Sequence, residues 1–372
     1  MSNHFDVLII GGGIAGASLA ARLAPRLKVL LVEVEQQCGA HATGRSAAFW
    51  EASLSGPTPE RQLSLASKPM FDARWPNAPV PLLRQRGAIH LTGAHGEGFG
   101  DSEGLPREYA PRRMTRAEVD AVLPGARPHW SGAWFEDACA DIDVAALHAA
   151  CLAESRRHGA AIATASEFVS ARRRGEGWSV TLAGDTVETG IVVNAAGAWG
   201  DQVAERCGVS PVGLQAKRRT VVQLRVGRSG LKQLPFVTDL HQSFYFKGEA
   251  DRSVWVCPLD ETDTDPCDAA PDEMDVAIAI DRFEQAVDWP VEAVERKWAG
   301  LRTFAPDRGM KFGFDPTAPG FFWCVGQGGM GIQTAPAASL LCAALILGER
   351  PGPGLEGIDP DNFAPRGVRA RS

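Results

Sequence analysis

Short apolar runs alternate with helical and polar segments from the first residues onward. Residues 6–10 form an apolar run rich in β-branched side chains, which is typical of a strand buried on both faces. An alanine-rich helical segment follows to about Leu27, and a second apolar run over residues 28–32 ends in Glu33. This pattern predicts a strand, a helix and a second strand, the repeating unit of a doubly wound α/β sheet.

Later segments predict a continuation of this sheet and a separate β-rich region. Helices are expected near residues 60–73 and over residues 141–158, and strands near residues 87–91, 160–164, 168–169, 178–182 and 186–193. The last of these runs into small residues at 195–198, which allow a ligand close to the backbone. Residues 214–298 show strand alternation with one helix near 272–287, which predicts a separate β-rich domain.

Glycines mark the turn between the first predicted strand and helix. Gly11, Gly13 and Gly16 form a G-x-G-x-x-G pattern that permits a tight turn, close approach to a pyrophosphate, and close packing of helix on strand. The helix N-terminus offers N–H groups and a positive dipole end to phosphate. Glu33 lies 17 residues after Gly16, where it can accept hydrogen bonds from an adenosine ribose. Because all these features occur in one unit, the sequence predicts a bound dinucleotide.

A second glycine-rich turn lies towards the C-terminal end of the chain. Residues 321–334 are predicted to form a buried strand, a turn containing Gly328, Gly329 and Gly331, and the start of an apolar helix. Such a turn would let the helix N-terminus contact a ligand, and the helix dipole favours negative charge there. A reduced flavin develops that charge at its N1–C2=O edge. A glycine-rich turn before an ordinary core helix explains the same residues, so both interpretations stay open.

The segment after the first unit changes abruptly from polar to apolar. Thr43, Arg45 and Ser46 are polar, whereas residues 47–50 are apolar. One interpretation is a loop that enters a buried element. The other is a turn whose small residues let the backbone lie against a flat ring, with Arg45 and Ser46 reaching a phosphate or the ring edge. The segment by itself favours neither interpretation.

Composition and charge argue against several classes of protein. The 372 residues include 45% hydrophobic and 22% charged residues, typical of a globular protein with a large core. The net charge of −7 argues against a nucleic-acid partner, and no apolar run reaches the ~18 residues of a membrane span. The chain enters its first strand at once, so no secretory signal is expected. Cysteines and histidines are dispersed, which predicts no metal site and a cytoplasmic location.

The motifs, taken in order, resemble one family. HATGRSAA (41–48), VVNAAGAWGD (192–201), GLQAKRR (213–219), SFYFK (243–247), WAGLRTF (298–304) and FFWCVGQGGMGIQT (321–334) are similar to motifs of the FAD-dependent amine and D-amino-acid oxidoreductases, the group containing glycine oxidase, sarcosine oxidase and D-amino-acid oxidase. Within that group they look closest to bacterial D-arginine dehydrogenases. The resemblance implies a doubly wound FAD-binding domain (residues 1–80, 141–213 and 299–372). It also implies an α+β substrate domain with a mixed or antiparallel sheet (residues 81–140 and 214–298).

The resemblance implies roles for individual residues. Arg219 and Arg302 match a pair that binds the substrate carboxylate, which suits the bidentate guanidinium, and Tyr245 matches a tyrosine that hydrogen-bonds the same group. Gly329 and Gln333 match residues that contact the substrate amine side and the flavin. Relatives with covalent flavin use a cysteine where this chain has Gly300, so we expect FAD to be non-covalent. FAD contacts are implied at Gly11, Gly13, Ile14, Ala15, Gly16, Glu33, Val34, Thr43, Gly44, Arg45, Ser46, Ala48, Val169, Ala195, Ala196, Gly197, Trp199, Gly300, Arg302, Gly328, Gly329, Gly331, Ile332 and Gln333.

Departures from the D-arginine dehydrogenases concern the substrate side chain. Ala88 stands in place of their guanidinium-binding glutamate, Phe49 in place of a histidine, and Leu54 at about the position of a tyrosine. The carboxylate anchors therefore remain while the side-chain pocket becomes more apolar. Glu51 is a candidate replacement for the lost acid, and two further residues, Arg84 and Arg86, would instead favour an acidic side chain.

We therefore expect FAD-dependent oxidative deamination of D-amino acids, with neutral and apolar side chains preferred over basic ones. Hydride transfer to the flavin would give a 2-oxo acid and ammonia, with electrons passed to an acceptor other than oxygen, such as a quinone. The alternative is an oxidase of glycine, sarcosine or another small amine that produces hydrogen peroxide. A flavin-binding subunit without its own substrate site is disfavoured by the retained Arg219, Tyr245 and Arg302. An NAD-dependent dehydrogenase would leave the C-terminal glycine motif without a role.

Overall fold

The computed structural model describes residues 4–53, 58–73, 75, 78, 80–93, 98–99 and 103–365. The helices are α1 (Ile14–Leu23), α2 (Pro59–Asp72), α3 (Arg116–Val122), α4 (Val144–Arg157), α5 (Gly200–Arg206), α6 (Glu273–Ala286) and α7 (Gly331–Ile346). The strands are β1 (His4–Ile10), β2 (Val29–Val32), β3 (Phe49–Trp50), β4 (Leu83–Gln85), β5 (Ala88–Thr92), β6 (Arg112–Thr115), β7 (Gly132–Glu136), β8 (Ala140–Ile142), β9 (Ala161–Ala163), β10 (Phe168–Arg174), β11 (Gly177–Leu182), β12 (Asp185–Asn194), β13 (Gln215–Val226), β14 (Phe236–Asp239), β15 (Tyr245–Ala250), β16 (Ser253–Cys257), β17 (Thr262–Thr264), β18 (Val291–Phe304), β19 (Lys311–Phe314) and β20 (Phe321–Val325).

The first sheet contains the predicted dinucleotide unit. Its parallel part has the order β20, β12, β1, β2, β9, so the first strand lies in the middle. Alternate residues of β1 enter different cores: Val7 and Ile9 pack towards α1 and α7, whereas Leu8 and Ile10 pack towards the other face. The prediction of a strand buried on both faces is therefore confirmed.

The second sheet is mainly antiparallel. Its order is β17, β13, β16, β15, β14, β5, β7, β6, with β18 beside β13. β14 and β5 form its parallel pair. The sheet draws on residues 88–136 and 215–304, and the predicted domain boundary at residues 298–299 falls inside β18. The predicted α/β fold with an additional mixed sheet is confirmed.

Two predicted helix boundaries differ from the structure. α1 ends at Leu23 rather than near Leu27, because Pro25 has no N–H with which to continue the helical hydrogen bonds. Residues 140–142 form β8 between β3 and β4 instead of the start of a helix. The carboxylate of Asp143 accepts a hydrogen bond from the N–H of Ala146 (2.8 Å), and this cap fixes the later start of α4.

No helix within the described ranges is long and apolar enough to cross a membrane.

Candidate cofactor and substrate site

A long cavity of about 660 Å³ follows the carboxyl ends of the parallel strands. Ile10 ends β1, Glu33 follows β2 and Ala195 follows β12, and all three line the cavity. Its opposite wall includes Tyr245 and Arg302 of the second sheet. The crevice at the carboxyl ends of a doubly wound sheet is where such proteins bind nucleotides.

The glycines of the first turn are required by its geometry. Gly11 has a φ of +108°, and a Cβ there would lie 2.4 Å from the carbonyl oxygen of Ala195. A Cβ on Gly16 would lie 2.0 Å from the carbonyl oxygen of Gly11, so any side chain would push α1 away from the turn. Gly13 begins α1 and faces the cavity. These positions match the roles that the sequence pattern predicts.

Two polar side chains stabilise the start of α1 beside the cavity. The N–H of Ile14 donates to Oγ1 of Thr43 (2.9 Å). Glu33 is buried, and its two carboxylate oxygens accept hydrogen bonds from the N–H groups of Gly12 (2.8 Å) and Glu35 (3.0 Å). A carboxylate oxygen can accept more than one hydrogen bond, so Glu33 can still bind ribose hydroxyls.

Arg45 lines the cavity, but its guanidinium connects distant segments. Nη1 donates to the carbonyl oxygens of Ala269 (2.9 Å) and Ala299 (3.2 Å), and Nη2 forms an ion pair with Asp268. The hydrogen bond from Arg45 and its positive charge lower the pKa of the Asp268 carboxyl. In this structure Arg45 therefore joins the 40s loop to β18, rather than pointing a free guanidinium at a phosphate.

Most predicted cofactor-binding residues line the long cavity: Gly11, Gly13, Ile14, Ala15, Glu33, Val34, Thr43, Arg45, Ser46, Ala195, Ala196, Gly197, Trp199, Gly300, Arg302, Gly328, Gly329, Gly331 and Ile332. Sequence reasoning missed others that also line it, including His41, Ser166, Phe168 and Gln202. These residues lie outside the glycine motifs, and their spacing along the chain does not indicate that they share a site.

Other predicted residues lie elsewhere. Ala48 and Gln333 line a neighbouring cavity, described below. Gly16, Gly44 and Val169 line neither cavity. Gly16 and Gly44 allow close backbone packing instead, since a Cβ on Gly44 would lie 2.6 Å from the carbonyl oxygen of Gly39. Val169 is exposed because it alternates with the inward-facing Phe168 on β10.

The second cavity, of about 620 Å³, shares wall residues with the first, including Tyr245, Arg302 and Gly329. One side of it is aromatic: the rings of Phe49 and Phe236 have centroids 4.1 Å apart, and those of Phe236 and Tyr245 are 5.1 Å apart. The shared wall brings a ligand of the second cavity next to a ligand of the first. This arrangement suits a substrate pocket beside a cofactor groove.

The register of β13 and β18 brings Arg219 and Arg302 onto one face of the sheet. Arg219 lies opposite Gly300, and Arg302 lies opposite Lys217. Burial and the nearby positive charge of Arg219 lower the pKa of Arg302 to about 10. Nη2 of Arg219 lies 3.3 Å from a carboxylate oxygen of Glu261, while its Nε and Nη1 make no hydrogen bond within the described ranges. The buried guanidinium of Arg219, with its unused donors, and the half-buried Arg302 together favour binding of an anion.

Tyr245 and Gly329 lie beside these two arginines. Tyr245 is 4% exposed, and burial raises the pKa of its phenol well above the usual value of 10, so the hydroxyl stays a hydrogen-bond donor. A Cβ on Gly329 would lie 2.9 Å from Nη1 of Arg302. The glycine therefore leaves room for the guanidinium between the turn and the cavity. The structure brings together the predicted Arg219, Tyr245 and Arg302.

The residues considered for side-chain selection occupy different places. Arg84 and Arg86 form ion pairs with Asp141, at 2.6 and 2.5 Å, and line neither cavity. They therefore give no support to an acidic substrate. Ala88 is fully buried in the sheet, and Leu54 lies outside the described residues. Glu51 lines the second cavity together with His90.

His90 and Glu136 were not predicted as site residues. Nε2 of His90 lies 3.0 Å from Oε1 of Glu51. Each of the residues Glu51, His90 and Glu136 contributes one side-chain oxygen or nitrogen, and these three atoms lie within 4.8 Å of one another. All three residues are buried. The sequence did contain a signal that could have indicated them. His90 on β5 and Glu136 on β7 are polar residues at inward positions of mainly apolar strands.

Comparisons with known proteins identify the family. A model of the FAD dependent oxidoreductases, the DAO family, matches residues 6–345, so the chain belongs to this family. It is 29% identical over 182 residues to "FAD-dependent oxidoreductase domain-containing protein 1" of Bos taurus, covering 43% of this chain and 36% of that protein. It is 23% identical over 369 residues to glycine oxidase of Geobacillus kaustophilus, covering 93% of this chain and 94% of that protein. The chain spans only 36–55% of the length of the first curated relatives it matches.

Solved structures share the fold. The glycine oxidase from Geobacillus kaustophilus superposes with a TM-score of 0.82 at 22% sequence identity, covering 98% of both chains. L-proline dehydrogenase from P. horikoshii gives a TM-score of 0.82 at 18% identity, covering 97% of this chain and 98% of that one. Similarity at this level of identity establishes the fold and leaves the substrate open.

The long cavity fits the cofactor of this family, FAD. The glycine turn leaves the backbone of Gly11 and Gly13 bare towards the cavity, as a pyrophosphate requires. Glu33 lies at the end of β2, where a ribose is bound in doubly wound folds. The predictions of the DAO family and of FAD as cofactor are confirmed.

Proposed function

We propose that this protein oxidises the carbon–nitrogen bond of small α-amino acids, D-amino acids in particular, and passes the electrons to an acceptor other than oxygen, for which a quinone is one candidate. The observation that carries the proposal is the cluster of Arg219, Tyr245 and Arg302 in the long cavity, of which Tyr245 and Arg302 also line the second cavity. Buried guanidinium groups beside a neutral phenol are suited to a carboxylate. The glycine oxidase and L-proline dehydrogenase that share the fold act on amino acids by their names, which supports this substrate class.

The residues of the chain position the substrate. Arg302 and Arg219 bind its carboxylate, and the hydroxyl of Tyr245 donates a further hydrogen bond. The aromatic side chains of Phe49 and Phe236 pack against its side chain and exclude water. Bound FAD supplies the hydride acceptor. The oxidised substrate is an imino acid, which water hydrolyses to a 2-oxo acid and ammonia.

The test of this proposal is anaerobic mixing of the holoenzyme with paired D- and L-amino acids. We expect D-isomers to bleach the flavin absorbance and the matching L-isomers to bleach it at least tenfold more slowly. Faster bleaching by L-isomers would contradict the stereochemical assignment. No bleaching by any amino acid would contradict the substrate class.

A small-amine oxidase is the second candidate. It is favoured by the similarity to a glycine oxidase over 98% of the chain. Aerobic turnover distinguishes the candidates, because an oxidase forms one hydrogen peroxide for each substrate oxidised. We expect turnover with a quinone or artificial dye to exceed peroxide formation.

Side-chain selection follows from the apolar wall. At about pH 6 we expect neutral, mainly apolar D-amino acids to reduce the flavin at least tenfold faster than D-arginine or D-lysine, equivalent to about 1.4 kcal/mol. An apolar side chain gains about 25 cal/mol per Å² buried, whereas an unpaired buried cation costs several kcal/mol. Anaerobic stopped-flow reduction across a D-amino-acid panel measures this preference. D-glutamate as the best substrate would contradict it.

We also expect the FAD to be non-covalent. Gly300, at the position where relatives carry a flavin-linked cysteine, offers no side chain. Acid precipitation of the holoenzyme should release all the yellow colour into the supernatant. Colour that stays with the pellet would show a covalent bond and contradict the prediction.

A further inference from the structure

Glu51, His90 and Glu136 converge beside the second cavity, from segments that are distant in the chain. Glu51 follows β3, His90 lies on β5 and Glu136 ends β7. Antiparallel pairing of β5 and β7 puts Ala88 opposite Glu136 and His90 opposite Trp134, so His90 and Glu136 share a face of the sheet. Glu51 and His90 line the cavity, and Glu136 is fully buried beside them.

Two buried polar atoms in and beside this cavity have unused hydrogen-bonding capacity. Oε1 of Glu136 accepts a hydrogen bond from the N–H of Ala52 (2.5 Å), but its Oε2 makes none with any described residue. Gln333 lines the cavity, and its Oε1 accepts a hydrogen bond from the N–H of Glu51 (3.1 Å). Its Nε2 has no partner among the described residues. A buried polar atom without a partner is costly, which points to a ligand that supplies one.

The surroundings of Glu136 supply little positive charge. His90 is the titratable group that faces it from β5, Glu51 faces it from beyond β3, and the buried thiol of Cys139 lies between β7 and β8. Burial raises the pKa of that thiol well above its usual value, so it stays neutral.

Three further groups border this part of the structure. The hydroxyl of Ser53 lies 3.5 Å from Oε1 of Glu51. Arg61 of α2 donates to the carbonyl oxygens of Ser53 (3.2 Å) and Glu103 (2.7 Å), and the ring of Phe99 packs edge-on against His90. Other carboxylates that line the cavity pair with basic residues away from this cluster: Glu261 pairs with Arg219 and Arg308, and Asp307 pairs with Lys311.

We propose that Glu51, His90 and Glu136 form a subsite for the distal ammonium or guanidinium group of a basic substrate, and that this subsite accepts the cation only when Glu136 is ionised. The inference rests on the proposed function, because it assigns the far end of the same substrate pocket. Glu51 and His90 line the same cavity as Arg302 and Tyr245, with Glu136 buried beside them, so one molecule can offer a carboxylate to the arginines and a cation to the glutamates.

The charge of the subsite depends on pH. Burial, together with the negative charge of Glu51, raises the pKa of Glu136 to about 7. Below that pH Glu136 is protonated and carries no charge, so Glu51 is the one carboxylate left in the subsite and the attraction for a cation is weaker. Above it Glu136 adds a negative charge, and a substrate cation can bind. The preference for apolar substrates at about pH 6 should therefore weaken as the pH rises.

A ratio of two substrates tests the proposal on the unmodified holoenzyme. D-lysine and D-norleucine differ by the distal ammonium, while the α-amino group and the flavin are common to both and cancel in the ratio of their kcat/KM values. The distal ammonium stays charged up to about pH 10. We expect the ratio for D-lysine over D-norleucine to rise roughly ninefold from about pH 6 to about pH 8, because the ionised fraction of Glu136 rises from about a tenth to about nine-tenths.

Variants separate this role from a merely structural one. Glu136→Gln should make the ratio low and independent of pH. Glu51→Gln should lower the ratio and move its midpoint to lower pH, because the charge that raises the pKa of Glu136 is removed. Glu154→Gln replaces another buried carboxyl, on α4 and outside both cavities, and should leave the wild-type profile unchanged.

The outcomes that would overturn the proposal differ from failure of the proposed function. If D-norleucine reduces the flavin but the wild-type ratio is flat with pH, the cation subsite is wrong and the proposed function stands. If stoichiometric zinc inhibits and the ratio is flat, the cluster binds a metal ion instead, which also overturns it. If no amino acid reduces the flavin, the proposed function itself is wrong.

Discussion

Replacing Arg302 by methionine is expected to lower kcat/KM for D-amino acids by about 3 kcal/mol or more, because removing one partner of a buried charge pair typically costs 3–5 kcal/mol. Arg302 faces the wall shared by both cavities, and burial beside Arg219 already lowers its pKa. Its charge is thus poorly neutralised until a carboxylate binds. Steady-state kinetics and the visible spectrum of bound FAD, which should be unchanged, measure the effect.

A matched control and a second substrate make this test specific. Arg26→Met removes a surface guanidinium that pairs with Glu349 and should leave kcat/KM unchanged. For an amine with the same side chain but no carboxylate, the Arg302 substitution should lower kcat/KM far less than it does for the amino acid. Activity of Arg302→Met within tenfold of the parent would show that Arg302 is not a carboxylate anchor.

Gly11→Ala is expected to abolish FAD binding. Its φ of +108° is disfavoured for alanine, which costs about 1–3 kcal/mol. The added Cβ would also lie 2.4 Å from the carbonyl oxygen of Ala195, a backbone atom that cannot rotate away. The turn and the end of β12 must then separate, and both line the cofactor cavity. We expect purified Gly11→Ala to be colourless and to have a lower Tm than the parent.

Gly208→Ala is the matched control for this prediction. Gly208 has a φ of +69°, but a Cβ there would meet no atom within 4 Å, and the residue lines neither cavity. It therefore carries backbone strain without the clash, and the variant should keep its FAD with only a small loss of stability. A yellow Gly11→Ala protein with the FAD content of the parent would contradict the assigned role of the turn.

Features decided by neighbouring residues were predictable from the sequence. The glycine pattern, the buried strand before it and Glu33 after β2 occur within one short segment, and the structure places them together around the long cavity. The capping box at the start of α3 also depends only on residues close together in the sequence. The side chains of Thr115 and Glu118 each accept a hydrogen bond from the other's backbone N–H. The site residues themselves stay predictions until their variants are measured.

Features decided by strand pairing were not predictable from local pattern. His90 and Glu136 meet because β5 pairs with β7, and a shift of one residue would turn their side chains to the opposite face. Contact of Arg45 with a phosphate or the ring edge was one of two open interpretations of its segment, and in the structure its partners include residues 268, 269 and 299. The proximity of Arg219 and Arg302 also depends on strand register. It was therefore inferred from the resemblance to the family and not from the spacing of the two residues in the sequence.

We propose that this enzyme recognises the carboxylate of an amino acid next to its flavin. Anaerobic stopped-flow reduction of the bound FAD by D-norleucine and by the matching amine without the carboxylate tests it most directly. We expect reduction by D-norleucine to be at least a hundredfold more efficient than reduction by the amine, equivalent to about 2.7 kcal/mol. Equal reduction by the two compounds would contradict it.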